Sequence, residues 1–337
     1  MTGGLDGGVG DAGDQRAEIV TLGECLVALV ATGLGPLAEA NTFERHVAGA
    51  EANVAVGLAR LGHRAAFIGR VGADGFGTAI RRRLRGEGVL TDYLAVDPSA
   101  ATGILIRERR ALAPAEVTYY RRGSAGSRLE PADVAAATGL FATARWLHVT
   151  GITPALSSTA RGAIDRAVDL ARQSGLTVSL DLNLRRKLWS EDEARAVLRE
   201  LASRVDVLLG SIDEVALITD SSPSTDPAEV AARALALGPS TAVIKLGVRG
   251  AVSLRQGEIS IALPAIETAV VDTIGAGDAF VSGFIAGNLE GAPLSDALRA
   301  ANACGAAAVG VLGDLAGLPD RIELERLLTE TGDDSVR

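Results

Sequence analysis

Aromatic residues make up only 3% of this 337-residue chain, and just two residues are cysteine. Cys25 and Cys304 lie far apart with no C-x-x-C spacing, and three scattered histidines form no cluster. A disulfide framework and a zinc site are therefore excluded as organising features. No stretch approaches about 18 uncharged apolar residues, the length a membrane-spanning helix needs. The first residues, rich in Gly and Asp, lack the basic start and apolar run of a secretory signal. Positive charge is also short, with 33 Lys+Arg against 42 Asp+Glu and a formal net charge of −9. Such acidity disfavours nucleic acid or an anionic membrane as partner and leaves small molecules. A soluble cytoplasmic protein is the expectation. Lysine itself is nearly absent: only Lys187 and Lys245 occur, so neither is a generic surface cation in a chain that otherwise uses Arg.

What is present is a globular composition, 47% hydrophobic and 22% charged, long enough to bury a large core. Residues 1–16, Gly- and Asp-rich, read as a disordered tail, and 331–337 as another. A G-x-G-x-x-G in the first tail has neither a strand before it nor a helix after it and counts as chance. From Glu18 the pattern changes. EIVTLGE reads as a buried strand, ANVAVGLARLG as a helix stopped by Gly62, AAFIGRVG as a strand and GTAIRRRLRGEGV as an amphipathic helix. The alternation resumes with RWLHVTG, TARGAIDRAVDLARQSG, LTVSLDLN, EDEARAVLRELASR, VDVLLGS, DPAEVAARALALG and TAVIKLG. Strands alternating with helices predict a mostly parallel sheet with helices on both faces. Segments near 28–48 and 101–122 break that rhythm, with no helix between strand-like runs, and 101–122 alternates apolar with polar residues, so they predict a small separate β-sheet acting as a lid. Ligands should bind under it, beyond the carboxyl ends of the parallel strands.

The strongest chemical signal is VVDTIGAGDAFVSGFIAGNL, 270–289. Phe280, Phe284, Ile285 and Leu289 suit a buried helix, which places Gly275, Ala276, Gly277 and Asp278 at its N-terminus. Free N–H groups and the positive end of the helix dipole make an anion hole there, and phosphate is its natural guest. Asp278 is then placed to take a proton from a hydroxyl attacking phosphorus, with the helix terminus expected to keep it ionised and weakly basic. The competing reading is an Asp capping an ordinary helix after a glycine turn. A Walker A loop does not occur.

DTIGAGDAF, 272–280, resembles the C-terminal signature of the ribokinase-like, or PfkB, carbohydrate kinases. AGAEANVAVGLARLG with IGRVGADGFG, residues 48–62 and 68–77, resembles their N-terminal signature. The resemblance spans about 18–328. It implies a Rossmann-like, mostly parallel α/β sheet with a β-sheet lid over 17–330, and ATP- and Mg²⁺-dependent phosphorylation of a sugar. It implies Asp278 as catalytic base and the 275–278 backbone as anion hole, with Gly49, Ala50 and Asn53 on the substrate. The family's N-x-x-E falls on Ser211 to Glu214, with Ser211 in place of Asn and Glu214 toward Mg²⁺ through water. Asn183, Ser211, Lys245, Gly247, Gly250, Gly275, Gly277 and Asn302 fall at ATP-binding positions. Asp272 and the turn near 308–313 match a site for a monovalent cation such as K⁺, and the lid implies a homodimer.

DLNLRRKLW, 181–189, and YYRRGSAGSRL, 119–129, resemble the 2-keto-3-deoxygluconate kinases of that family, as does TLGECLVAL. That resemblance implies Arg185 on a substrate carboxylate and Tyr119 and Arg121 reaching in from the lid. A guanidinium suits an acid sugar, because it clamps a carboxylate bidentately. Leu105 stands where an aromatic is expected, which weakens the substrate assignment. Neutral-sugar kinases of the fructokinase, ribokinase or 5-dehydro-2-deoxygluconokinase type, and a non-catalytic sugar or nucleotide sensor, remain alternatives.

Overall fold

The computed structural model describes residues 16–110 and 116–333. In chain order the elements are β1 (Ile19–Leu22), β2 (Leu26–Ala31), β3 (Phe43–Ala48), α1 (Ala50–Arg60), β4 (Ala65–Gly72), α2 (Gly75–Gly86), β5 (Leu94–Asp97), β6 (Ile104–Arg107) and β7 (Val117–Tyr120). Then come α3 (Pro131–Ala136), α4 (Thr138–Phe141), β8 (Trp146–Thr150), α5 (Ser158–Gln173), β9 (Thr177–Asp181), α6 (Glu191–Ala202), β10 (Val207–Ser211), α7 (Ile212–Thr219) and α8 (Pro227–Leu235). The chain closes with β11 (Thr241–Lys245), β12 (Ala251–Arg255), β13 (Ile261–Leu263), α9 (Ala276–Leu289), α10 (Leu294–Val309) and α11 (Arg321–Asp333).

Nine strands form the main sheet in the order β13-β12-β11-β10-β9-β8-β1-β4-β5. Pairing is parallel from β5 to β11, and β12 and β13 add antiparallel to one edge. Alternation sends side chains to two cores. Ile19 joins the cluster under α1, α9 and α10, whereas Val20 and Leu22 join the cluster under α3, α5, α6 and α8. Continuous apolar strands are the signature of a sheet covered on both faces, and the structure matches the expectation of a Rossmann-like α/β fold. The antiparallel edge was not legible, because β12 and β13 follow β11 through short turns that carry no α-helix to mark them.

The second sheet, β3-β2-β6-β7, comes from the two segments that interrupted the α/β rhythm. One face carries Leu26, Ala28 and Val30 of β2, Ala48 of β3 and Leu105 of β6, which roof the cleft described below. Of the expected tails, residues 1–15 and 334–337 lie outside the described residues, and α11 continues to Asp333, past the expected boundary at 330.

Candidate active site

A cleft of about 560 Å³ lies between the lid and the carboxyl ends of the parallel strands. Its floor is the start of α9. Gly275, the N-cap, has φ 79°, and a Cβ there would sit 2.7 Å from the carbonyl of Asp314, so only glycine fits this turn. No side chain caps the helix. The first-turn amides of Ala276, Gly277 and Asp278 therefore lack intrahelical acceptors, and the dipole adds positive potential where Gly275, Gly277 and Asp278 line the cleft. Ala276 is not a lining residue; its carbonyl lies beside Gly305 of α10.

Asp278 is held by two amide side chains. Asn53 of α1 donates to its Oδ2 at 2.8 Å, and Asn183, after β9, donates to its Oδ1 at 3.4 Å. Asn183 adopts a left-handed φ of 37° there and lines the cleft beside the aspartate. Asn53 also reaches Asp314 Oδ2 at 3.4 Å. Burial pushes the Asp278 carboxyl up to about 7; Asp181 and Asp314 add to the rise, while the Asn53 hydrogen bond and the Arg185 charge oppose it. The expectation of a strongly ionised, weak base is thus corrected. Desolvation among carboxylates outweighs the partial charge of the helix end. Burial likewise raises Asp314, a lining residue with no motif of its own.

Toward the nucleotide side, Lys245 donates from Nζ to both carboxylate oxygens of Asp181 at 2.8 Å. Burial works against the ammonium, but Asp181 and Glu214 carry its pKa above the usual lysine range. Gly277 faces this lysine: a Cβ would meet only Nζ, at 3.6 Å. Ser211 and Glu214 form a capping box on α7. Ser211 Oγ accepts from the Glu214 amide at 3.4 Å, and Glu214 Oε2 accepts from the Ser211 amide at 2.8 Å. Glu214 Oε1 accepts from the Leu184 amide at 2.7 Å, which fastens the loop after β9. Both residues still line the cleft, as does Gly247 at φ 61°. Two expected ATP ligands do not. Gly250 turns the chain at φ 92° against the Leu263 carbonyl, and Asn302 donates to the Pro264 carbonyl at 3.0 Å. Both tie β13 to the domain.

Among the described residues no three acidic, His or Cys side chains gather as a metal cluster. A lone carboxylate such as Glu214, lining the cleft with spare lone pairs, nevertheless fits Mg²⁺, which keeps most of its waters and takes one or two carboxylates plus phosphates. K⁺ does not fit. Arg107 of β6 donates from Nη1 and Nη2 to Asp272 Oδ1 and Oδ2 at 3.1 and 2.8 Å. The amides of Ile274 and Gly313 take the remaining approaches, each at 3.2 Å. The nearby Val309 carbonyl already accepts from Val271 and Asp272.

On the lid side, Gly49 and Ala50 open α1, and a Cβ on Gly49 would lie 2.5 Å from the Glu24 carbonyl. Tyr119 and Arg121 line the cleft, with the Arg121 guanidinium 5.5 Å from the Tyr119 ring centroid. Arg121 is not free, however. It donates from Nε to Glu24 Oε2 at 2.6 Å, and Ser124 donates to the other oxygen of this buried carboxylate. Arg185 is exposed and its guanidinium has no hydrogen-bonded partner among the described residues, and neither has that of Arg122. With Arg121, Arg186 and Lys187 they line a second opening of about 930 Å³, which shares Val117, Tyr119, Arg121 and Arg185 with the walls of the first. Sequence reasoning missed Glu24, Asp181 and Asp314; the first two sat unremarked inside motifs that it did quote.

A cleft floored by the uncapped amides of a helix start suits phosphoryl transfer, and the family match gives the class. The pfkB family carbohydrate kinase profile matches residues 16–321, so the chain belongs to that family and is a phosphotransferase acting on sugars. It is 40% identical to the 2-dehydro-3-deoxygluconokinase of Thermoproteus tenax, over 94% of this chain and 95% of that one. It is 38% identical to the enzyme of the same name from Bacillus subtilis, over 94% and 96%. A Klebsiella pneumoniae fructokinase is 35% identical over 93% and 100%. Among solved structures, an E. coli protein carried under the name ribokinase II, with ATP and Mg²⁺, superposes with TM-score 0.85 at 28% identity, over 93% and 99%. A fructokinase double mutant from Vibrio cholerae, bound to fructose, ADP and potassium, gives 0.79 at 27%, over 94% and 99%.

Proposed function

We propose that this kinase phosphorylates 2-keto-3-deoxygluconate, or a closely similar acid sugar, to its 6-phosphate at the expense of ATP. The observation that carries the reading is Arg185: an unpartnered guanidinium close enough to lower the Asp278 pKa, lining a cleft already built for phosphoryl transfer. A neutral hexose has no use for it, whereas a carboxylate would be clamped bidentately. Arg122 adds a second uncompensated charge, while Arg121, neutralised by Glu24, serves as a wall and a support for Tyr119. The names of the relatives at 38–40% identity support the same substrate.

The mechanism follows from the floor. Asn53 and Asn183 hold both Asp278 oxygens, so that the carboxylate faces the acceptor hydroxyl and takes its proton. A base tuned to about 7 is close to operating pH, which is where general-base catalysis is efficient. The amides of 275–278 stabilise charge on the transferred phosphoryl, and Gly277 lets it approach the backbone. Lys245, its charge secured by Asp181, lies beside Gly277 on the phosphate side. Glu214 would hold Mg²⁺ through water, and the ion would neutralise the phosphates. We further assign a cytoplasmic location, in keeping with two free buried cysteines, and a homodimer joined through the lid, where Leu34 and Phe43 expose apolar surface.

Substrate-dependent ADP release across a panel of acid and neutral sugars tests the assignment, with Arg185→Ala alongside. The expected result is turnover of acid sugars, with KM raised about tenfold or more by the substitution for acid sugars alone. Faster turnover of fructose or ribose would overturn the substrate.

A further inference from the structure

At Asp272, where the sequence suggested a monovalent cation, the structure has a cation of the protein's own. Arg107 belongs to β6, in the lid sheet, yet its guanidinium lies against Asp272, in the loop that leads into α9. The pair is almost sealed, the two side chains being 6% and 9% exposed. Asp272 in turn accepts from the amides of Ile274 and Gly313, the first of which adjoins Gly275 of the anion hole. Gly313 adjoins Asp314, whose carbonyl packs against Gly275 and whose side chain meets Asn53. One lid-borne charge therefore fixes both chain segments that frame the phosphate pocket.

Alternation explains how β6 supplies it. Leu105 and Arg107 are two residues apart on one strand and both line the cleft, Leu105 against the apolar roof and Arg107 toward the floor. The V. cholerae fructokinase that carries potassium shows that a relative of this fold binds such an ion.

We propose that Arg107 is a positioning residue that stands in for a monovalent cation, holding the 272–275 loop in its phosphate-binding shape from the lid, so that this kinase needs no K⁺. The guanidinium is fixed and bidentate, so the loop's geometry is independent of salt composition. It also joins lid to floor, so that the loop is held in shape when the roof is in place. The inference rests on the reading of 275–278 as the anion hole.

The test measures kcat and KM by ADP release in buffers whose only monovalent cation is tetramethylammonium, then with KCl added at matched ionic strength. Wild type is expected to change by less than about twofold, because only general screening is altered. Arg107→Ala is expected to lose about tenfold or more in kcat through misplacement of the loop, with a smaller change in sugar KM. Added guanidinium ion should then restore several-fold of that loss. Arg107→Lys should fall between the two and gives a folded variant should the alanine substitution unfold the chain. Strong K⁺ activation of wild type, an undiminished Arg107→Ala, or a lysine variant that does no better than alanine with no rescue by guanidinium would each overturn the proposal. Asp278→Asn in the same buffers separates the two readings. If that variant stays active, the assignment of Asp278 as the base fails, and with it the reading of the phosphate site beside it; if it is dead while wild type requires K⁺, only the role of Arg107 fails.

Discussion

Asp272 and Asp278 bracket the five residues 273–277, and their surroundings shift the two carboxyls in opposite directions. Burial raises both, but Asp272 faces a guanidinium and two backbone amides, which together hold its carboxyl below the usual carboxylate range. Asp278 hydrogen-bonds only to the neutral amides of Asn53 and Asn183, with Asp181 and Asp314 nearby and the Arg185 charge too weak to offset burial, and rises to about 7. Burial alone therefore does not decide the role of a carboxylate; the charge of its partners does. A permanently ionised aspartate can anchor a loop, whereas one balanced near neutrality can accept a proton.

The comparison breaks most visibly at Asp278. Asp278→Asn should lower turnover by about 10²–10⁴-fold while ATP still binds, read by ADP release together with calorimetric titration. Undiminished turnover would place the base elsewhere. The same substitution at Asp272 should act on stability: Asp272→Asn leaves Arg107 buried without its counter-ion and should cost about 3–5 kcal/mol in denaturant unfolding. A cost near zero would show the pair to be idle.

A finer test is the pH dependence. Because Asp278 must be unprotonated to act, kcat/KM should rise with pH through about 7. Removing the hydrogen bond that favours its charged form, by Asn53→Leu, should move that midpoint upward; a midpoint unmoved by Asn53→Leu would count against the contact. The smallest effect is thermal. The raised pKa means that folded Asp278 binds a proton more tightly than the unfolded chain does, so stability falls as pH climbs from about 4 to about 7 and stays lower above. Asp278→Asn removes that penalty, so its melting temperature should exceed that of wild type at pH 8 and the gap should close below pH 4. The two asparagine variants should thus shift stability in opposite directions.

Much of this arrangement was legible beforehand. AAFIGRVG is β4 from end to end, Phe280, Phe284 and Leu289 are the buried face of α9, and the two segments without helices are the lid. These features depend on residues close in sequence, where apolar period and glycine positions carry the information. The pairings that define charge in the cleft are different in kind. Glu24 meets Arg121 across 97 residues and Asp272 meets Arg107 across 165, and neither pair leaves a local trace. That Asn302 and Gly250 meet the Pro264 and Leu263 carbonyls was illegible for the same reason: those partners are backbone groups that no motif encodes.

The order of strands and helices, the glycine turn before α9 and the presence of an aspartate at its first turn were determined by the sequence alone, since each depends on the conformational limits and spacing of neighbouring residues. Which carboxylates stay charged, which arginines remain free for a substrate, and how the lid holds the phosphate loop were decided only by tertiary structure. Electrostatic free energy depends on distance and burial, and both exist only once the chain has folded.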